Sequence, residues 1–511
     1  MRTSRRKNRI ESLEHRNLLA FSSHLLTDAV VAPSDFYAAG DLVYFVAETA
    51  DSGRELWRTD GTSNGTFLLK DIMPGSESSL PQHLTKVGAN VFFTADDGAF
   101  GRELWTTDGT SDGTYRISDI NPNSGNSLPE KLTSVGDKLF FTAYSPSLGR
   151  EVWSLSPGNE SEFVLTPHEI VIGPGSPSVT NVWGMNGRAY YGGNNQSIWT
   201  SDATATGTYE LTVAHSPTGV LVGQDKMFFI ARSPGSGNEV WVSDGTIEGT
   251  HVTKDIGPGF TVGVIGSELL GLIDDVAYFW GNDPALGSEL YRTDGTDEGT
   301  WLVKDITPGP DGSNGVSRLP FVHSGKIYFT ANDGVHGTEV WVSDGTEQGT
   351  FLLSDSNIGN GGSGLPFPFS KATSSKVLFR DTRYRFTDGT PEGTVEYSGS
   401  VSSNIIARDD DAIFAGTVTN QFSGLLISDG TTEGTSVAAS LRGGASNPRN
   451  LTELEDGRIV MSAYFNEVWV VSDTIPDAKI VTPSTLQEGG SLVMDASAST
   501  DPQGQSLSYA W

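Results

Sequence analysis

Carboxylates are the side chains of this chain that could do chemistry, and they recur at two kinds of place. Asp96 and Asp97, Asp283, and Asn332 with Asp333 follow an apolar run and open a short polar stretch. Asp71, Asp119, Asp255, Asp305 and Asp355 close such a run. Oxygen donors in flexible loops suit Ca²⁺, which takes about six to eight of them. Asp96, Asp97, Asp119, Asp283, Asp305 and Asp333 are therefore candidate Ca²⁺ ligands. Turn capping and solvation explain the same acids without a metal. No segment has the dense Asp spacing of an EF-hand or of a Ca²⁺-binding nonapeptide repeat.

Other chemistries find less support. The eight histidines (15, 24, 83, 168, 215, 251, 323, 336) show no His-x-x-x-His or Glu-x-x-His pairing, which argues against zinc. Neither Gly-x-Ser-x-Gly nor a phosphate-cradling Gly-rich motif is present. A glycan hydrolase needs two carboxylates facing a cleft, which acids this numerous could supply. In a repeat, however, catalytic residues should stand out as insertions. The most irregular stretches, Pro157 to Val182 and Ser354 to Arg385, bring no His–acid pair.

The overall balance bounds the partners. Asp and Glu total 63 against 33 Lys and Arg, a net charge of -30, so nucleic acid is not the expected ligand. With no cysteine, a large buried core must hold the fold. No apolar run approaches the ~20 residues of a membrane span.

The elements that position these residues are repeats. Gly101-Arg102-Glu103-Leu104-Trp105 leads to Asp108-Gly109-Thr110 and Gly113-Thr114. The same pattern carries Trp57 to Asp60-Gly61, Trp241 to Asp244-Gly245, Tyr291 to Asp294-Gly295 and Trp341 to Asp344-Gly345. Weaker copies sit at Trp153, Trp199, Asp388-Gly389, Asp429-Gly430 and Trp469. About ten copies recur roughly every 46 residues, a period that means a solenoid, an array or a propeller.

Each copy reads as four strands. In the second, these are Gln82 to Val87, Val91 to Ala95, Glu103 to Thr107 and Thr114 to Ile120, joined by Gly/Asn/Asp turns that favour hairpins. Four antiparallel strands per repeat make the blade of a β-propeller. Side chains alternate along a strand, so Leu104 should face one neighbouring blade and Trp105 the other. Trp57, Trp105, Trp153, Trp199, Trp241, Tyr291, Trp341 and Trp469 are expected in the inter-blade core, with stacking on carbohydrate as the lesser reading. In the turn, Gly takes φ > 0 without strain and Asp bonds the amides ahead of it.

The fold expected is therefore all-β: a propeller of about ten four-stranded antiparallel blades over residues 22–475. His24 to Ala29 looks like a fourth strand that completes the last repeat and closes one ring. Two rings of five, or a smaller ring without the weak copies at 370–440, are the alternatives.

The Glu-Leu-Trp-x-x-Asp-Gly-Thr pattern resembles the ELWxxDGT repeat family of large bacterial surface proteins, over most of the chain. Three copies depart from it: Asp202-Ala203-Thr204 lacks the turn glycine, Ser154-Leu155-Ser156 lacks the turn, and Arg385-Phe386 replaces the tryptophan. Residues 1–21 are basic and expected to be disordered. Leu13, Glu14, Arg16, Leu18 and Leu19 resemble the Leu-Glu-Pro-Arg-x-Leu-Leu targeting motif of planctomycete surface proteins, with His15 in place of the proline. Residues 476–511 resemble the opening of a PKD-type, immunoglobulin-like β-sandwich, from Asp495-Ala496-Ser497 to Tyr509-Ala510-Trp511. They cover under half of such a domain of about 80–100 residues, which is expected to be truncated or poorly ordered.

These resemblances imply export and bring no catalytic residues. The expected function is a non-catalytic propeller, extracellular or at the bacterial cell surface, that binds protein or glycan. The alternatives are an extracellular glycan hydrolase or lyase with carboxylates in the channel, and a structural spacer of a large adhesin.

Overall fold

A computed structural model of the chain describes residues 21–473, apart from 159–161, 171–174, 176–178, 180, 193–196, 213–214, 233–236, 258–261, 314–319, 356–366, 419–420, 440–446 and 465. Residues 1–20, which carry the resemblance to a targeting motif, and the PKD-like segment lie outside the described residues. Among the described residues there is no helix, and so none long and apolar enough to cross a membrane. Forty strands pair antiparallel into ten sheets of four.

Nine blades are continuous in sequence: 31–70, 82–116, 130–168, 182–212, 215–252, 271–304, 321–354, 367–397 and 400–439. Blade 10 takes three strands from 449–473 and its outer strand from Phe21–Thr27, which pairs with Glu467–Asp473. In that pairing Ser22 stands opposite Ser472 and Leu25 opposite Trp469. The ring is thus fastened by a strand from the far end of the chain, which leaves no blade incomplete. The weak copies at 370–440 are full blades.

Every blade is apolar on both faces because it is covered on both. In blade 2, Leu104 packs with Leu139 and Phe141 of blade 3, and Trp105 with Tyr44, Val46 and Leu56 of blade 1. Ten buried apolar clusters each join one blade to the next. One of them sets Leu454, Val460 and Val468 of blade 10 against Val43, Phe45 and Trp57 of blade 1. Ten blades with ten interfaces make a single closed ring, not two rings of five.

The first strand of each blade is innermost, since first strands lie beside first strands in neighbouring blades: 82–87 next to 130–135, and 31–39 next to 449–453. Outer strands are shorter than the sequence implies. Blade 2 pairs only Tyr115–Arg116, not Thr114 to Ile120, because the Ile117 amide turns in to the Leu104 carbonyl and the chain leaves for blade 3. Antiparallel order puts the first–second and third–outer turns on one face of the disc. The second–third loops and the linkers between blades share the other.

Candidate functional site

Where the linkers enter the inner strands, four adjacent blades repeat one unusual piece of backbone. Ala32, Leu80, Leu128 and Asn447, each followed by proline, have φ between 40° and 48°. Three residues on, Asp35, His83, Lys131 and Asn450 have φ between 54° and 59°. Positive φ costs a non-glycine residue about 1–2 kcal/mol, and a following proline restricts the position further. The second residue of each pair sits in a β-bulge; in blade 2, Gln82 opposes Thr94 and Thr85 opposes Phe92, so two residues face Phe93. Blades 1, 3 and 10 shift register at the same point. A bulge re-aims the side chain it carries. Here Asp35, His83 and Lys131 are exposed on the channel side of blades 1, 2 and 3, next to Asn450 of blade 10.

This strain is held from three directions. The Leu80 amide donates to the Arg54 carbonyl of blade 1 at 3.3 Å, and its own carbonyl accepts from Arg102 Nη1 at 2.8 Å. Leu128 repeats this with the Arg102 carbonyl and with Arg150 Nη1, at 3.2 and 3.0 Å. Ala32 receives Arg54 Nη1 at 3.2 Å. The residue just before each leucine is tied by a buried carboxylate: Ser79 donates its amide to Glu55 at 2.9 Å, and Ser127 to Glu103 at 3.1 Å. Glycine completes the clamp, because a Cβ on Gly53 would stand 1.9 Å from the Glu77 carbonyl oxygen of the passing linker.

The mouth so formed combines polar and apolar surface. Val31, Leu80 and Leu128 are exposed beside it. A hollow of about 420 Å³ lies between the inner strands of blades 2 and 3, lined by His83, Leu84, Thr85, Glu130, Lys131 and Leu132. Glu130 stands 3.7 Å from Arg150, and Asp35 stands 3.9 Å from Arg54. Lys131 and Arg449 stand with Asp35 and Glu130, so this sector carries both signs in a chain of net charge -30. It can hold a partly polar ligand through side chains of both signs, over an apolar rim.

Sequence reasoning missed this site, although two signals point to it. Gly-Arg-Glu occurs only at 53–55, 101–103 and 149–151, the copies of blades 1, 2 and 3. Proline follows Ala32, Leu80, Leu128 and Asn447 at one place in the repeat. The residues before Pro320 and Pro366 lie outside the described ones.

The repeat glutamates have a common task. Glu55, Glu103, Glu239 and Glu289 are fully buried, and each accepts an amide 17 residues on: Ile72, Ile120, Ile256 and Ile306, at 2.8–3.3 Å. Glu151, also fully buried, takes the Ile170 amide at 3.0 Å. Burial raises the carboxyls of Glu55 and Glu103 despite these bonds, and pushes Glu239 and Glu289 up to about 7.

The residues singled out from sequence lie elsewhere. Trp57, Trp105, Trp153, Trp241, Tyr291, Trp341 and Trp469 are buried between blades, and Trp199 is half-buried there. In blade 8 Arg385 takes the tryptophan position and pairs with buried Asp381 at 2.7 Å. The turns are built alike in eight blades. Asp108 Oδ1 accepts from the Thr110 amide and hydroxyl, Thr110 Oγ1 accepts from the Gly113 amide, and Thr107 Oγ1 accepts from the Gly109 amide. Asp60-Gly61, Asp244-Gly245, Asp294-Gly295 and Asp344-Gly345 repeat the pattern.

The six candidate Ca²⁺ ligands are spread over blades 2, 6 and 7. Asp96, Asp97, Asp283 and Asp333 cap the amides of their own loops. Asp119 is exposed, and Asp305 leaves Oδ1 buried without a hydrogen bond. No group of three or more His, Asp or Glu is placed to hold a metal ion among the described residues.

Comparison with protein-family models and with curated proteins gives no match. Among solved structures the chain is similar to BamB from Moraxella catarrhalis, at 14% identity and a TM-score of 0.32, over 67% of this chain and 93% of that one. A streptogramin B lyase structure aligns at 15% identity and a TM-score of 0.30, over 69% and 96%. A puromycin hydrolase aligns at 11% and 0.27, over 61% of this chain and 60% of its own, so less than two thirds of that enzyme is spanned. Alignments at this level carry no argument about what the chain does.

Proposed function

We propose that the chain is an exported, non-catalytic binding propeller of the bacterial cell surface, and that the channel mouth at blades 10, 1, 2 and 3 holds an extracellular glycan or protein. The observation that carries this reading is the repeated backbone strain at that mouth. Eight non-glycine residues are kept at positive φ, and arginines hold the carbonyls of Ala32, Leu80 and Leu128 among them. Strain of this kind persists where the surrounding fold over-determines it, and it gathers at binding sites. Export is supported by the N-terminal motif resemblance, and scaffolding by the ring of ten blades.

A glycan array and a panel of surface-protein fragments, probed with the full chain, test the reading. The expected result is saturable binding that His83→Ala with Lys131→Ala abolishes without moving the melting temperature. Ligand turnover would replace this reading with the hydrolase or lyase one. Silence on every ligand class would replace it with the spacer.

A further inference from the structure

The disc has a second hollow, on its opposite face, where a repeat element is missing. In blade 2 the third–outer turn leans onto blade 1: Arg58 Nη1 donates to the Gly109 carbonyl at 2.9 Å. A Cβ on Gly109 would stand 2.7 Å from Leu42. Blade 5 leans on blade 4, and blade 7 on blade 6, with Gly245 and Gly345 against the Tyr190 and Tyr278 hydroxyls. Blade 3 lacks the Asp-Gly-Thr sequence of that turn. Its third strand runs on through Gly149–Pro157 and pairs with Phe163–His168 as a long hairpin. Among the described residues, this hairpin and blade 2 bound a cleft of about 500 Å³.

The lining is divided. Phe92, Leu139, Leu155 and Phe163 form an apolar floor, with the two phenyl rings edge to face at 5.4 Å. Asp108, Asp137 and Glu162 stand at the rim. Asp108 uses Oδ1 for Thr110, and Asp137 has Lys138 at 3.8 Å.

We propose that this cleft binds an organic cation: an ammonium or amidinium group on an aromatic or aliphatic stem. The stem lies over Phe92 and Phe163. The cationic end meets the rim carboxylates Asp108, Asp137 and Glu162. Three acids around an apolar floor favour a cation over a neutral molecule of the same shape and disfavour an anion.

Benzamidine and its neutral counterpart benzamide, titrated into the full chain by calorimetry at low and high salt, test this. Benzamidine should bind at least about tenfold more tightly than benzamide, and more weakly as salt rises. Asp137→Asn with Glu162→Gln should remove that preference, with the melting temperature unchanged. His83→Ala with Lys131→Ala, on the other face, should leave benzamidine binding as it was, so the two sites fail independently. Equal binding of the two probes, no saturable binding of either, or a preference that survives the rim substitutions would overturn the proposal.

Discussion

Ala203 occupies a turn position, φ 76°, that seven other turns give to glycine. Its methyl is accommodated because it packs in one cluster with Phe140, which has no hydroxyl. The matching residue is a tyrosine where Gly245 meets Tyr190, and a Cβ there would stand 2.2 Å from the hydroxyl oxygen. Gly245→Ala should therefore cost about 2 kcal/mol or more, one part from positive φ and one from the clash. Adding Tyr190→Phe should recover the second part. A denaturant-melt cycle of the three variants checks this, and additive losses would sink it.

The buried glutamates set a pH dependence. Glu239 and Glu289 rise from 4.5 to about 7 on folding. Below about pH 4.5 both states hold the proton and the contribution is fully present. Between 4.5 and 7 the unfolded chain releases protons that the folded one keeps, so stability falls as pH rises. His168, buried and held down to about 4, works the other way below 6.5, but it is one group against these two and the raised Glu55 and Glu103. The turn aspartates, lowered by their threonine and backbone hydrogen bonds, lose ground only below their usual 3.8. The melting temperature should drop between pH 5 and 7.5, with a shallower drop in Glu289→Gln. A flat profile would contradict this assignment.

At the scale of the element, the blade was legible and the mouth was not. Trp105 and Asp108-Gly109-Thr110 act through neighbours that the pattern itself repeats, one strand or two residues away, so alternation and turn chemistry were enough. Glu103 answers to amides 17 and 24 residues later, in a linker with no periodicity of its own. The sign of φ at Leu80 or His83 leaves no mark on hydropathy. Phe21–Thr27 could be placed because an outer strand needs only one apolar face and a partner lacking one. The absent turn at Ser154-Leu155-Ser156 was visible as a departure, but its consequence depends on what blade 2 presents opposite.

The same clamp yields a prediction. Arg102 is half-buried and reaches the carbonyls of both Leu80 and Ser79, at 2.8 and 3.2 Å. Arg102→Ala should cost about 1.5–3 kcal/mol, the range for hydrogen bonds to a charged group. It should also raise amide exchange at 79–85 before the rest of blade 2. Uniform exchange across the blade would show that Arg102 does not hold the inner strand.

At the scale of the molecule, closure decides how stability is shared. An open stack of blades would have two uncovered ends, whereas here the residues of Phe21–Thr27 remove both at once. Arg458 adds a bond across the same seam, from Nη2 to the Asp60 carbonyl at 2.8 Å. Deleting residues 21–27 should expose the apolar edge of blade 10, lower the melting temperature by more than any single Trp→Ala, and produce concentration-dependent oligomers. Scattering and melting measurements on the deletion check this; a monomer of unchanged stability would show that the ring needs no fastening.

Because Phe21 stands opposite Asp473 in an antiparallel pair, the chain enters and leaves the disc at one point of its circumference. Tension between the flanking segments would not stretch the disc across its diameter. It would peel two neighbouring strands apart from their shared end, one rung after another, the geometry in which a hairpin resists pulling least. Under load the disc would therefore release at its seam first, freeing the outer strand of blade 10, and it could reseal when the load fell.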